Sequence, residues 1–155
     1  MITIEPTDDN EYIRSVFLGP DNIKEMKDDS INDSAVHYMV DHFGLFGGFF
    51  LKVLVNGIAS GLFWFRPVGD EYEGHAALEK NCRGKKAVIA GKKAVNYCFE
   101  KTRTKAVTSV FWSDNPAVGV FCKSLGMKFS HKEPWPNTRN GKPVEVIHFK
   151  TLRTN

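Results

Sequence analysis

Two hydrophobic periods divide the chain. Residues 1–5 alternate like a short strand, and Asp8 or Asp9 can cap a helix beginning near Glu11. Residues 21–27 read as a short helix. Residues 32–42 read as another, with Val36, Met39, Val40 and the following Phe43 on one face. Gly44, Gly47 and Gly48 close this helical part. From Phe49 the period becomes two. The runs FFLKVLV and IASGLFWFRPV flank Asn56-Gly57, a dipeptide that supplies the positive φ angles of a tight hairpin turn. A loop at 69–71 leads to a third strand of the meander over 73–79. A helix follows over 85–101, with Ile89, Ala90, Ala94, Tyr97 and Cys98 near the 3.6-residue period. Residues 106–112 read as a strand and 116–124 as a helix with Pro at its first turn. Residues 128–131 and 144–150 read as two closing strands, joined by a loop that holds Asn140-Gly141.

The order is β-α-α, three antiparallel strands, then α-β-α-β-β. This predicts an α+β fold, with a mixed central sheet covered by helices on both faces. No repeat or linker breaks the chain, so residues 1–155 are expected to form a single domain. The net charge of +3 points to no particular partner. The positive charge is concentrated, however: Lys80, Arg83, Lys85, Lys86, Lys92, Lys93, Lys101, Arg103 and Lys105 share a segment whose acids are Glu79 and Glu100. Such a segment suits a phosphorylated ligand or nucleic acid, or is simply a solvated helix face. The nucleic-acid reading lacks a helix-turn-helix or interleaved exposed aromatics. Cys82, Cys98 and Cys122 are odd in number and lack CxxC spacing, which fits a reduced compartment. With no signal-like start and no long apolar run, the expected location is the cytoplasm, without membrane contact.

Three places carry candidate chemistry. The turn Arg83-Gly84-Lys85-Lys86 opens the helix over 85–101, where unpaired N–H groups and a positive partial charge can hold phosphate. The segment NPAVGVFCKSLGM, residues 115–127, ends one strand, forms one amphipathic helix and turns into the next strand. Read locally, Asn115 is an N-terminal cap and Gly126 a C-terminal one. The third meander strand places Glu73, His75 and Glu79 on one side by its two-residue period. Trp112, Trp135 and Tyr72 lie near loops that could shape a pocket. His37, His42, His75, His131 and His148 show no paired ligand spacing, so no metal site is expected.

This arrangement resembles the GNAT acetyltransferase superfamily. The turn at 83–88 stands where that family keeps its pyrophosphate loop, and 115–127 stands at its second cofactor motif. The resemblance implies acetyl-CoA as co-substrate, a primary amine as acceptor and direct attack on the thioester. It assigns cofactor binding to Leu78, Glu79, Arg83, Gly84, Lys85, Lys86, Ala87, Val88, Asn115, Val118 and Lys123. It places Glu73 or His75 as the base on the acceptor side. Cys122 stands where many members have the Tyr that protonates the departing thiolate. Lys86 and Val88 replace the small residues of the family loop. The chain is also similar to GNAT-like proteins of tailed bacteriophages, which share an E-x-H strand before an arginine-glycine turn. A catalytically inactive GNAT-fold binding or phage accessory protein is therefore the alternative. A homodimer is compatible with either reading.

Overall fold

A computed structural model describes residues 1–154, and Asn155 lies outside the described residues. Seven strands form one sheet in the order β1-β2-β3-β4-β5-β7-β6. They are β1 (Ile2–Thr7), β2 (Phe49–Val55), β3 (Ile58–Val68), β4 (Glu71–Leu78), β5 (Ala106–Trp112), β6 (Lys128–Arg139) and β7 (Lys142–Leu152). The helices are α1 (Asn10–Phe17), α2 (Pro20–Ile23), α3 (Asp33–Asp41), α4 (Lys85–Lys101) and α5 (Pro116–Ser124). Among the described residues no helix is long and apolar enough to cross a membrane.

Local chemistry explains most boundaries. Asp9 caps α1 by accepting from the Tyr12 N–H, and Asn32 caps α3 by accepting from Ala35. Asn32 therefore stands outside the helix expected over 32–42. The helix expected over 21–27 is a single α turn followed by a 3-10 turn at Lys24–Met26. Asn56 and Gly57 adopt φ of 50° and 80°, the left-handed pair that a two-residue hairpin turn needs.

The largest departure lies at the C-terminal hairpin. Asn140 and Gly141 form the same kind of turn, with φ of 52° and 75°. The expected loop is thus a tight hairpin, and β6 runs on to Arg139 rather than ending at His131. Pro134 and Pro136 hid this strand. They are tolerated because β6 is the sheet edge and its pairing with β7 shifts register between Phe129 and His131 and again between Pro134 and Thr138.

Two cores lie on opposite faces. Phe63, Phe65, Leu51, Val53 and Leu78 pack with Ala87, Ala90, Ala94 and Cys98 of α4 and Cys122 of α5. The alternate residues Leu62, Trp64 and Ala77 pack with Ile13, Val16 and Phe17 of α1 and Val36 and Val40 of α3. Gly91 is the close crossing of α4 and α5. A Cβ there would sit 2.8 Å from Leu125 and 2.9 Å from Phe121.

Candidate functional site

The centre of the sheet opens between β4 and β5. These parallel strands pair only at Tyr72–Val107 and Glu73–Thr108, and beyond those residues they share no ladder. The Glu79 N–H bonds Ser60 O of β3 at 3.0 Å. By the two-residue alternation, the backbone groups of Ala76 and Leu78 point the other way, into the opening. Unpaired strand groups at this depth are unfavourable unless water or a ligand meets them. The opening is therefore a polar slot lined by main chain.

Two helices begin at the mouth of this slot, because α4 follows β4 and α5 follows β5. Gly84 precedes α4 with φ of 58°, a conformation that favours glycine. The Val88 N–H closes on the Gly84 carbonyl, so the N–H groups of Lys85, Lys86 and Ala87 precede the helical ladder. No side chain caps them. Arg83, Lys85 and Lys86 are exposed around these groups, while Ala87 is buried and Val88 half-buried beneath them. Beside this turn, a cavity of about 390 Å³ lies between Ser15–Asn22 on one side and Leu78, Glu79, Lys80, Asn81 and Arg83 on the other.

Asn115 sits at the start of α5, yet its side chain caps nothing. Its Nδ2 donates instead to Glu25 Oε2 at 3.0 Å, and Trp112 Nε1 donates to the Glu25 carbonyl at 2.9 Å. The segment from Gly19 to Met26 thus crosses from the end of β4 to the end of β5. At the other end of α5 the expected glycine cap is present: Met127 N–H bonds Cys122 O and Gly126 N–H bonds Lys123 O. Val118 packs against the core and Lys123 is exposed. Because Asn115 does not cap, Asn115→Ala is expected to cost less than about 1 kcal/mol in denaturant unfolding. A larger loss would mean that the Glu25 contact organises the mouth.

Glu73 and His75 meet on the α1/α3 face, with His75 two residues beyond the last β4–β5 pair. His75 Nε2 lies 2.7 Å from Glu73 Oε1, which also accepts from Arg66 Nε and Nη2 at 3.2 and 3.1 Å. Burial of Glu73 opposes its charge, but the hydrogen bond and charge of His75, with those of Arg66, outweigh it. The carboxyl therefore lies below its ordinary range. A carboxylate on Nε2 fixes the ring and leaves Nδ1 as the position that can accept a proton. Glu79 does not join this pair, because it follows the end of β4 and is exposed.

Cys122 does not line that side. It is 1% exposed in the core between the sheet and α4/α5, on the face opposite His75. Burial raises its thiol, against a smaller opposing effect from a hydrogen bond to Ser109. The helix spacing to Gly126 was legible, but not which way the side chain would turn against β5.

Beside Trp112 and Asn115 the sequence did not show a further cluster, formed by the β6–β7 hairpin and residues 24–30. Arg139 is 7% exposed and donates to the Lys24 and Lys27 carbonyls at 2.9 and 3.1 Å. It also pairs with Asp114 and lies over the Trp112 ring at 4.8 Å. Asp28 is 4% exposed and accepts from Ser30, from Trp135 Nε1 at 2.6 Å and from Asn137 at 3.2 Å. The β6–β7 hairpin is thereby bolted to residues 24–30. The Asn-Gly turn was the available signal, since it is a hairpin turn rather than a loose loop.

No family model matches the chain, and no curated protein matches it at a significant level. Solved structures do match. Spermidine N-acetyltransferase from Vibrio cholerae, solved with CoA and spermine, superposes with a TM-score of 0.76 at 13% identity, covering 97% of this chain and 95% of that one. For yncA from Salmonella typhimurium, solved with its cofactor acetyl-CoA, the TM-score is 0.73 at 15% identity, over 100% and 95% of the two chains. A GNAT-family acetyltransferase from Bacillus anthracis gives 0.71 at 15%, over 97% and 94%. At such identities the likeness is one of fold. The parting of β4 from β5, with a helix N-terminus above each, belongs to a chain that has the GNAT acyl-CoA N-acyltransferase fold.

Proposed function

We propose that this protein is an N-acetyltransferase that takes acetyl-CoA as co-substrate and a primary amine as acceptor. The observation that carries the proposal is the open main-chain slot between β4 and β5, with the basic Arg83–Lys86 turn at its mouth. A pantetheine arm offers amides that match the free backbone groups of Ala76 and Leu78, and Asn115 can exchange its Glu25 contact for one of them. The pyrophosphate fits the N–H groups of Lys85, Lys86 and Ala87, with Arg83 and the Lys86 side chain adding charge. Lys86 and Val88 fill space that glycines leave free in the family loop. The pyrophosphate is therefore expected to ride higher, on side chains as well as main chain.

Acetyl-CoA supplies an activated thioester. On the α1/α3 face His75 accepts the proton from the incoming ammonium at Nδ1, while Glu73 holds the ring and balances the imidazolium. The free amine forms its bond to the acetyl carbon as the carbon–sulfur bond breaks. With Cys122 buried on the other face, the departing thiolate takes its proton from solvent.

Acetyl-CoA should raise the melting temperature, by mass action on the folded state. Arg83→Ala and Lys86→Glu should each shrink that rise without lowering the melting temperature of the free protein. Calorimetry showing no binding at millimolar acetyl-CoA would overturn the proposal. Binding without acetyl transfer to any member of an amine panel would instead favour the non-catalytic GNAT-fold protein, the reading that Lys86 and Val88 support.

A further inference from the structure

At the outer edge of the sheet, three side chains with metal-binding chemistry converge: His131 and Glu133 of β6 and, from a distant part of the chain, His148 of β7. The register shift after Phe129 sets His131 directly opposite His148 across β6 and β7. Glu133, two residues along β6, rises on the same face, and its Oε1 lies 2.9 Å from His148 Nε2. The two imidazoles stack with centroids 4.0 Å apart and 12° between their planes. One nitrogen of each ring and a Glu133 carboxylate oxygen all lie within 4.8 Å of one another. Ser130 Oγ stands 3.0 Å from His131 Nδ1.

We propose that His131, Glu133 and His148 bind a divalent transition-metal ion of the zinc class. Two imidazoles and one carboxylate suit zinc, with water in the fourth position, whereas magnesium and calcium prefer oxygen ligands alone. Tetrahedral zinc–nitrogen bonds of about 2.0–2.1 Å set neighbouring donors roughly 3.3 Å apart. The existing cluster reaches that spacing by side-chain rotation, because His131 and Glu133 are both exposed and the β6–β7 ladder fixes their Cα positions. The nearest ammonium on β7 is drawn aside, since Lys150 Nζ bonds Glu71 at 2.7 Å. Lys132 pairs with Glu145 instead of these residues. A bound ion would clip the edge strand to β7 at its bulge. That would stiffen the hairpin which carries Trp135 and Arg139 against residues 24–28. The site does not depend on the acetyltransferase reading.

The test uses the full chain without a polyhistidine tag, stripped of metal, and titrated with zinc chloride against a chromophoric chelator. One equivalent should bind and raise the melting temperature, while magnesium chloride should do neither. His131→Ala, at an exposed position that folding tolerates, should weaken zinc binding at least about tenfold, and Glu133→Gln should act in the same direction. Cobalt(II) bound in place of zinc should show visible absorption that His131→Ala abolishes. Zinc affinity unchanged in the His131→Ala/Glu133→Gln double variant would overturn the proposal, as would the absence of any saturable equivalent in the native chain.

Discussion

His75→Ala is expected to lower kcat by ~10²–10⁴ while leaving the affinity for acetyl-CoA unchanged, the pattern of a lost proton acceptor rather than a lost binding contact. The geometry predicts a graded series. Glu73→Gln keeps the size of the side chain but removes the charge that orients and balances the ring, so kcat should fall by less than in His75→Ala. Arg66→Ala should do less again, because it touches only the carboxylate. The Glu73 carboxyl lies below its ordinary range, so it remains ionised through the neutral region and its titration cannot shape the rate there. Cys122→Ser should leave kcat close to the native value, because Cys122 is buried on the opposite face of the sheet. Equal kcat in wild type and His75→Ala, under conditions where chemistry limits turnover, would remove this residue from the mechanism.

The sequence made the element order legible because its signals are local. Asn56-Gly57 can hardly be anything but a hairpin turn between two apolar runs, and the 3.6 period of α4 needs no partner to be recognised. The parity of β4 placed Glu73 and His75 together, since a strand allows only two faces, but it also placed Glu79 with them, and the strand ends before Glu79. Chain neighbours say less where a contact depends on another element. The rotation of α5 against β5 decides that Cys122 turns to Ser109 and the core, and a spacing counted back from Gly126 contains no information about that rotation. Asn115 carries the right residue type for a cap, but Glu25, far away along the chain, competes for its amide.

The β6–β7 hairpin shows the same division. Asn140-Gly141 announced its turn, yet Pro134 and Pro136 broke the alternation that would have announced its strand. Once β6 ends too early, three consequences vanish together: the pairing of His131 with His148, the docking of Trp135 on Asp28, and the burial of Arg139. All three depend on register between distant segments. An edge strand with two register shifts is where one-dimensional reading of a sheet is weakest.

That hairpin also sets the second large expected effect. Asp28→Ala should destabilise the protein by about 2–4 kcal/mol, because Ser30, Trp135 Nε1 and the Asn137 amide lose their shared buried carboxylate acceptor together. Asp28→Asn keeps one oxygen acceptor and should recover part of the loss. The charge has a pH signature whose sign is fixed. Hydrogen bonds from Ser30 and Trp135 act first, and with Asn137 they outweigh the opposing effect of burial. They bring the Asp28 carboxyl down to about 2 in the folded state, from an ordinary value of 3.8. Between those values the unfolded chain binds more protons than the folded one, so stability rises with pH there. The contribution is complete above the unfolded value and is lost as pH falls from 3.8 towards 2. Denaturant unfolding at a series of acid pH values should therefore show a slope in the native chain that is shallower in Asp28→Asn. Since this cluster joins residues 24–30 to the hairpin beside Trp112 and Asn115, Asp28→Ala should also weaken acetyl-CoA binding at neutral pH while the variant is still folded. An Asp28→Ala protein as stable as the native chain would mean that the hairpin is held to residues 24–30 without this carboxylate, by Arg139 and by the Asp29 contacts to Thr138, Asn140 and Gly141.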